Sequence, residues 1–429
     1  MNKKAVAWLY QQLPELIDKG ILTTESAERI REYYGPATDN TGNRTFLLIF
    51  GVIGALLVGL GIILILAHNW EQLTKLQRLM IAVGLLAISQ IIAGCVLWFK
   101  RDSLAWREAS ATLLTLMIGA ALAMVGQTYH LVEDVEAFLL TWMVLSLPVL
   151  YLMNSTAAAI LYLLGVTSWI SNQHGNHLVW LLFGAVLPYY RGLLISRSKA
   201  NATVIISWVI NLCFYFIFGA VFSAELNKLG LLVYSALFAL TYLLGAGWFK
   251  EEEYSGRMPF KVVGLAGSLG ITFILTFKDV WQGLALGWHA ETMLGYGIAG
   301  ALLLLTIGAN VLLRSPDALS IRRFSLLPCV IGIAYLFLAY EPSGIGAAVI
   351  LNAYMLLLSI SVMASGVQRQ SLGIVNMGML LVVALIVARF FDIDISFVAR
   401  GIAFVLVGLA FLTANIVLLR RKAGWQHEE

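Results

Sequence analysis

Charged residues are scarce in this sequence. Only 12% of the 429 residues are Asp, Glu, Lys or Arg, whereas 60% are hydrophobic. A soluble domain carries about 25% charged residues, so this chain has too few to cover a surface that faces water. The mean hydropathy of +0.85 agrees with that conclusion. We therefore predict a polytopic membrane protein embedded in a lipid bilayer, and the small net charge of +4 argues against nucleic acid as a partner.

Groups for metal binding, thiol chemistry and nucleotide hydrolysis are few or absent. The three cysteines, Cys95, Cys213 and Cys329, lie in apolar segments without metal-ligand spacing. We interpret them as small residues of the hydrophobic core. The chain has no phosphate-binding loop of the usual form, which excludes an ordinary soluble NTPase. We expect no metal and no cofactor.

Ionisable residues are missing from the middle of the apolar segments. Ion-coupled transporters commonly place such residues there, so proton-driven antiport through a buried carboxylate is disfavoured. Closely spaced glycines, as in "GLAGSLG" from Gly264, indicate close helix packing, with a moving gate as the alternative. The polar side chains that remain in the segments are amides, which hold helices together more often than they bind substrate. They are Gln90, Asn211, Asn310, Asn352, Asn376 and Asn415.

Long apolar runs dominate what is present. A spanning helix needs about 20 mostly apolar residues. Two of the runs, 156–171 and 177–190, are short, and we interpret them as tilted, re-entrant or broken spans. The sequence thus predicts an all-α helical bundle of about 14 transmembrane helices, or 12 without the short pair. The other runs are 46–67, 79–99, 109–126, 137–153, 203–222, 229–249, 261–277, 291–313, 323–340, 343–364, 371–389 and 398–419.

The lysines and arginines orient these spans. If the spans alternate from a cytoplasmic N-terminus, 22 of the 28 basic residues fall in cytoplasmic segments and six fall outside. The positive-inside rule favours this arrangement and places both termini in the cytoplasm. Removing the short pair changes nothing else, because two spans disappear together. We predict a cytoplasmic helical hairpin and linker over 1–45, a bundle over 46–419, and a cytoplasmic tail over 420–429.

The predicted hairpin precedes the first span. Trp8, Leu13 and Ile17 keep helical spacing, and Gly20 is a typical C-terminal stop. Thr24 then has the character of an N-cap for a second helix. This hairpin of about 35 residues either docks a cytoplasmic protein partner or packs against the protein's own spans.

Several stretches resemble one bacterial family. These are the N-terminal "LPELIDKGILTTESAERIREYYG", the "ILAHNW" that ends the first span, and the "GQTYHL" that ends the third. They are similar to the domain-of-unknown-function 2157 family of predicted membrane proteins, most clearly over residues 1–150. "RFFDIDISFVARGIAFVLVG" also resembles the closing segment of such proteins. The resemblance implies a protein of the bacterial inner membrane and carries over no substrate, cofactor or catalytic residue.

Polar side chains gather at the predicted outer ends of the spans. Spans 1 and 3 run in the same direction, so "AHNW" and "GQTYH" reach the same depth. An unpaired polar group is costly there, and we predict that the two segments form one polar cluster at the outer rim. The candidate rim residues are His68, Asn69, Trp70, Glu71, Gln127, Tyr129, His130, Arg389, Asp392 and Arg400.

Three functions stay open for such a rim. The groups could line a path for a small molecule or a lipid, in a transport or lipid-handling protein. They could instead only satisfy one another, in a non-catalytic scaffold or sensor. A membrane enzyme that acts on a lipid-linked substrate at the outer leaflet is the third hypothesis, and no known catalytic motif favours it.

Overall fold

The computed structural model describes most of the chain as helix. Its described residues are 3–34, 40–68, 73–129, 134–172, 175–197, 200–248, 258–284, 293–312, 323–369 and 371–392, with 402, 405, 408 and 409. These ranges contain no strand, so the predicted all-α class is confirmed for them. The contacts divide the chain into two compact units, residues 1–198 and 199–429. We call them unit 1 and unit 2; the predicted boundaries near residues 45 and 419 stay predictions.

Spanning helices are abundant in the described part of the chain. Nine of its helices are long and apolar enough to cross a membrane, and four shorter apolar helices accompany them. Each of these thirteen helices overlaps a predicted span. The last predicted span, 398–419, lies almost wholly outside the described residues. The protein is thus a multi-pass membrane protein, while the count of 14 and the orientation stay predictions.

Unit 1 is built around α5. More than half of the apolar part of α5 is buried (56%), against 22% for α4, because α5 packs against α3, α4, α6 and α7. A helix that is apolar on all sides is expected in such a central place. The helices are α1 (Lys3–Asp18), α2 (Thr24–Tyr34), α3 (Asn40–His68), α4 (Lys75–Phe99), α5 (Leu104–Tyr129), α6 (Val135–Met153), α7 (Thr156–Asn172), α8 (Val179–Gly184) and α9 (Leu187–Arg197).

Unit 2 is built around α11, which packs against α12, α14 and α15. A short 3-10 turn, Asn227–Leu229, joins α10 to α11. The helices are α10 (Asn201–Leu226), α11 (Gly230–Trp248), α12 (Pro259–Ile274), α13 (Lys278–Gln282), α14 (Met293–Leu312), α15 (Leu327–Tyr340), α16 (Ile345–Gln368) and α17 (Leu372–Asp392).

The N-terminal hairpin consists of the two predicted helices, α1 and α2. Gly20 adopts a left-handed φ of 68° after α1, and the Ile21 N–H donates to the Leu16 carbonyl at 3.0 Å. That pattern is the usual glycine stop. The predicted N-cap at Thr24 is wrong by one residue. Thr23 precedes α2, and its hydroxyl accepts from the Ser26 N–H at 3.3 Å.

The short span predicted at 177–190 is broken, which is one of the forms expected for it, because α8 ends at Gly184 and α9 begins at Leu187. The two helices together form one of the nine spanning segments, Val179–Ser196. Cysteine burial differs from the prediction: Cys213 is buried and Cys329 half-buried, but Cys95 is exposed. Cys95 is therefore not a core residue.

Candidate functional site

The structure describes only part of the predicted outer rim. Among the ten candidates, side chains are described for Gln127, Tyr129 and Arg389. Gln127 and Tyr129 are exposed at the end of α5, and Arg389 is half-buried near the end of α17. For two others only the helical backbone is described, and five lie outside the described residues. Those two are His68 and Asp392, and those five are Asn69, Trp70, Glu71, His130 and Arg400.

In unit 1, α3 and α5 lie side by side and run parallel. A Cβ atom at Gly51 would contact Ala109, and one at Gly59 would contact Met117. His68 is nine residues beyond Gly59 (68 − 59), and nine residues beyond Met117 is position 126, next to Gln127. The end of α3 therefore reaches the end of α5. This packing favours the predicted polar cluster, which stays a prediction.

In unit 2, α12 is too short to cross a bilayer alone. Its 16 residues span about 24 Å, against roughly 30 Å of hydrocarbon. The chain turns after Ile274 and continues as α13, which has five residues. The last carbonyl groups of a helix have no partner inside it. In lipid each such group needs one from elsewhere, so other side chains must supply the donors.

Side-chain donors bind the end of α12. Asn352 of α16 donates its Nδ2 to the Thr276 carbonyl at 2.9 Å, and Trp281 of α13 donates its Nε1 to the Leu275 carbonyl at 2.8 Å. Thr276 and Trp281 are both fully buried. Asn352 lies seven residues after Ile345 (352 − 345), the start of α16. Helix α12 therefore ends beside a point on α16 that is about 10 Å along the helix axis from the first residue of α16.

Arg389 of α17 lies at the same level along the helices as Asn352 of α16. Helices α16 and α17 are antiparallel, because a Cβ atom at Gly378 would contact Met363 and one at Gly366 would contact Val375. Eleven residues further along α17 is Arg389, and eleven residues back along α16 is Asn352. The Arg389 Nη2 donates to the Thr276 Oγ1 at 3.3 Å. We call Thr276, Phe277, Asn352 and Arg389 the Thr276 layer.

In the Thr276 layer, neighbouring groups fix the position of the Arg389 guanidinium. The Arg389 guanidinium carbon lies 4.9 Å from the centre of the Phe277 ring, which is within the range of a cation–π contact. Its charge also faces the C-terminal end of α12, where the helix dipole favours a cation. The Thr276 hydroxyl donates to the Phe273 carbonyl at 2.6 Å. With a carbonyl rather than a base as its acceptor, that hydroxyl has no activation as a nucleophile.

Exposed apolar side chains lie next to the Thr276 layer, and polar side chains lie at the start of α16. Ile274 and Val387, which flank it on α12 and α17, are exposed large apolar residues. At the start of α16, Glu341 accepts from the Ser343 hydroxyl at 2.6 Å and from the Gly346 N–H at 2.8 Å. In the described part of the chain, no three His, Cys, Asp or Glu side chains lie together as metal ligands would. Arg389 therefore places a positive charge beside exposed apolar side chains.

Sequence reasoning identified only part of this site. Arg389 was a rim candidate, and Asn352 was expected to join helices, which it does. Thr276 and Trp281 were missed. The run 261–277 carries one signal that points to them, since an apolar segment of that length with a threonine before "FKDVW" is short for a span.

Comparison with known proteins agrees with the resemblance seen in the sequence. Residues 14–159 match the model of a family described as "Predicted membrane protein (DUF2157)". This stretch is 146 of the 429 residues (159 − 14 + 1) and lies in unit 1. No curated protein and no solved structure matches the chain. The resemblance to this family is thereby confirmed over the matched residues, and its description names a location without an activity.

Proposed function

We propose that this multi-pass membrane protein handles an anionic lipid, whose head group binds at the Thr276 layer of unit 2. Arg389 is the observation that supports the proposal most. Its guanidinium contacts the Thr276 hydroxyl and the Phe277 ring, at a level within α16 rather than beyond its first residue. A charged side chain within a membrane is costly, and residues of this kind mark functional sites by default.

The neighbours of Arg389 fit a lipid better than a free ion. A guanidinium presents a planar set of donors that matches phosphate oxygens. The exposed side chains of Ile274 and Val387 lie on the lipid-facing side of the same helices. Acyl chains can pack against these residues while the phosphate approaches Arg389. A water-soluble anion would gain nothing from that apolar border.

A scaffold or sensor is the second candidate, because one observation favours it. Asn352 and Trp281 already donate to the carbonyl groups at the end of α12. Arg389 would then only complete the cap of a truncated helix and oppose its dipole. In that case the cation stabilises the fold and binds no ligand. The two candidates differ in whether a lipid changes the stability of the protein.

We expect phosphatidylglycerol to raise the Tm of the detergent-purified protein, and phosphatidylcholine to leave it unchanged. A ligand at 100 times its Kd adds about 2.7 kcal/mol to the stability of the state that binds it. The Arg389→Gln variant should lose this lipid-dependent shift, and Arg389→Lys should keep part of it because the charge remains. Thermal unfolding with and without each lipid measures these shifts.

Lys278→Gln is the matched control. Lys278 is an exposed cation two residues after Thr276, so its loss tests non-specific attraction between the rim and anionic lipid. The control should keep the full shift. If Arg389→Gln also keeps the full shift, while its lipid-free Tm falls, Arg389 is a helix cap and the scaffold is favoured.

We also propose that the Thr276 layer faces outward, with both termini in the cytoplasm of a bacterial inner membrane. The uneven placement of the basic residues supports this orientation. Contacts in unit 2 agree with the alternation of the spans. Tyr335 donates to the Lys228 carbonyl at the predicted outer end, and Ser325 donates to Asn310 at the predicted inner end, at 2.5 Å.

Reporter fusions test the orientation. Fusions after Lys100, Lys199 and Arg421 should report cytoplasm, and a reporter in the loop at Glu133 should report the outside, because 22 basic residues remain on the inner side. A cytoplasmic signal at Glu133 would overturn both the topology and the outward position of the layer.

A further inference from the structure

Helix α4 of unit 1 carries an exposed amide at the middle of its membrane span. Gln90 is ten residues before Lys100 (100 − 90), the cation at the C-cap of α4. Ten helical residues rise about 15 Å, which is half of the roughly 30 Å of hydrocarbon. The Gln90 side chain is exposed, so in a bilayer it faces either lipid or a partner. Lipid offers an amide no hydrogen bond, and leaving it unpaired there is costly.

Three other polar side chains of spanning helices are paired within the chain. Ser89, the neighbour of Gln90, is buried and donates to a backbone carbonyl of its own helix at 2.8 Å. Asn352 donates to a carbonyl group at the end of α12 at 2.9 Å, and Asn310 accepts from the Ser325 hydroxyl at 2.5 Å. In the described part of the chain the Gln90 amide makes no such bond. Its environment is therefore unlike that of the other three.

The exposed side of α4 has the residue spacing of a helix–helix interface. Alternate steps of three and four residues keep five positions on one stripe, and left-handed helix pairs pack along such a stripe. Four of the five residues are exposed and the third is half-buried. We call this stripe the Gln90 seam, and it consists of Met80, Val83, Ala87, Gln90 and Gly94.

The Gln90 seam is separate from the side of α4 that packs on α5. Ala82 is buried against Ala121 and Met124 of α5, and Ser89 lies seven residues further along the same stripe as Ala82. Successive residues of a helix are about 100° apart, so Gln90 points about 100° away from Ser89. Helix α5 therefore leaves the Gln90 seam uncovered.

Small residues flank the amide on the seam. Ala87 is three residues before Gln90, and Gly94 is four residues after it. A Cβ atom at Gly94 would meet nothing within 4 Å, so another backbone can approach α4 closely at this point. Helices in membranes associate through small residues that permit close approach and through hydrogen bonds between helices. The seam provides both on one side of α4.

We propose that the Gln90 seam pairs α4 with α4 of a second copy of this chain, and that the two Gln90 amides hydrogen-bond to each other. An amide contains both a donor and an acceptor, so it is complementary to itself. Copies that follow the same positive-inside rule have the same orientation, which brings both Gln90 residues to one depth. A two-fold axis along the seam then closes the pair. The pair is independent of the Thr276 layer and of its proposed lipid.

Disulfide cross-linking in membranes tests which side of α4 meets the second copy. Val83 and Ile88 are each 56% exposed, but Val83 is on the Gln90 seam, whereas Ile88 points about 160° away from Gln90. The Cys95→Ala background removes the exposed native thiol. In that background, oxidised Val83→Cys should yield a disulfide-linked dimer and Ile88→Cys should not. Copies with two different tags identify the product as two copies of this chain.

A dimer of equal yield from both cysteine variants, or no dimer from Val83→Cys, overturns the proposal. A cross-link from Val83→Cys to another part of the same chain, or to a different protein, also overturns it. Either product would mean that the Gln90 seam has another occupant.

The role of the amide is tested by the dimer Kd of the full-length protein in liposomes, measured by energy transfer between labelled copies. Gln90→Leu should raise this Kd about 3- to 30-fold, which is the range for one interhelical hydrogen bond in a membrane. Gln90→Asn should raise it less, because an amide remains. Since Gln90 is exposed in the single chain, neither change should prevent folding.

Asn376→Leu is the control for loss of an exposed amide. Asn376 lies one turn after the start of α17 in unit 2, and its replacement should leave the dimer Kd unchanged. An unaltered protein that stays monomeric in liposomes excludes the pair. A Kd that Gln90→Leu changes no more than Asn376→Leu excludes the hydrogen bond between the two Gln90 amides.

Discussion

Glu108→Ala is expected to lower the free energy of unfolding by about 3 kcal/mol or more, because three donors lose their acceptor and each unsatisfied group costs about 1–3 kcal/mol. The Glu108 carboxylate is 3% exposed in unit 1. Its oxygens accept from the Ser155 hydroxyl at 2.5 Å, from the Thr156 N–H at 2.9 Å and from the Ala157 N–H at 2.8 Å. The first N–H groups of α7 have no other acceptor in the helix. Alanine would leave these part-buried N–H groups unpaired.

Glu108→Gln should cost less than Glu108→Ala. The amide keeps one acceptor oxygen, but its NH2 group faces donors where the carboxylate had a second oxygen. The loss of negative charge also removes its attraction to the N-terminal end of α7. Thermal unfolding of detergent-purified variants gives the order unaltered protein, Glu108→Gln, Glu108→Ala, from highest to lowest Tm.

Asp102→Ala is the control for the loss of an acidic residue near the start of α5, the helix that carries Glu108. Asp102 is exposed, and surface substitutions usually change stability by less than about 0.5 kcal/mol. Its Tm should therefore match that of the unaltered protein. If Glu108→Ala also matches it, the carboxylate contributes little and the α7 N–H groups find other acceptors.

The spans were predictable from sequence because lipid forces each crossing segment to satisfy its own backbone. A run of apolar residues of sufficient length must then be a helix. This is why the described helices coincide with predicted runs, even the short run at 156–171, which is α7. The same reasoning says nothing about where a helix stops inside the membrane. That depends on partners elsewhere in the chain.

The ends of α12 and α7 show this dependence. Helix α12 can stop at Ile274 because Asn352, which is 76 positions after Thr276, donates to the Thr276 carbonyl. Helix α7 begins where Glu108, 47 positions before Ser155, supplies the acceptor. No local pattern marks either pair. Glu108 lies one residue before the predicted span 109–126, where a carboxylate is typical of a solvated span end rather than a buried cap.

Side-chain exposure was the other property that apolar patterns could not settle. The amides were expected to join helices, and Asn310 and Asn352 do so. Gln90 and Asn376 are exposed in the described part of the chain, and their role in joining helices stays a prediction. Cys95 differs from Cys213 in the same way. A spanning helix is apolar toward both lipid and protein, so composition does not distinguish its two faces.

The glycines of "GLAGSLG" differ in how closely the neighbouring helix approaches. A Cβ atom at Gly264 would lie 2.5 Å from the Tyr242 nitrogen and 2.6 Å from the Phe238 carbonyl oxygen, both in the backbone of α11. At Gly270, on the same helix α12, a Cβ atom would meet nothing within 4 Å. Close packing is thus required at Gly264 and absent at Gly270, and a backbone cannot move aside as a side chain can.

Gly264→Ala is therefore expected to destabilise unit 2 by about 1–3 kcal/mol or more, because α11 and α12 must separate to admit one methyl group. Gly270→Ala is the matched control, and it should be neutral or stabilising by up to roughly 1 kcal/mol, since alanine is the better helix former. Thermal unfolding of the two variants measures the difference. If Gly264 were only a hinge for a moving gate, Gly264→Ala would change activity or ligand response while its Tm stayed near that of Gly270→Ala. Equal Tm values for the two variants would rule out close helix packing as the reason for glycine at this position.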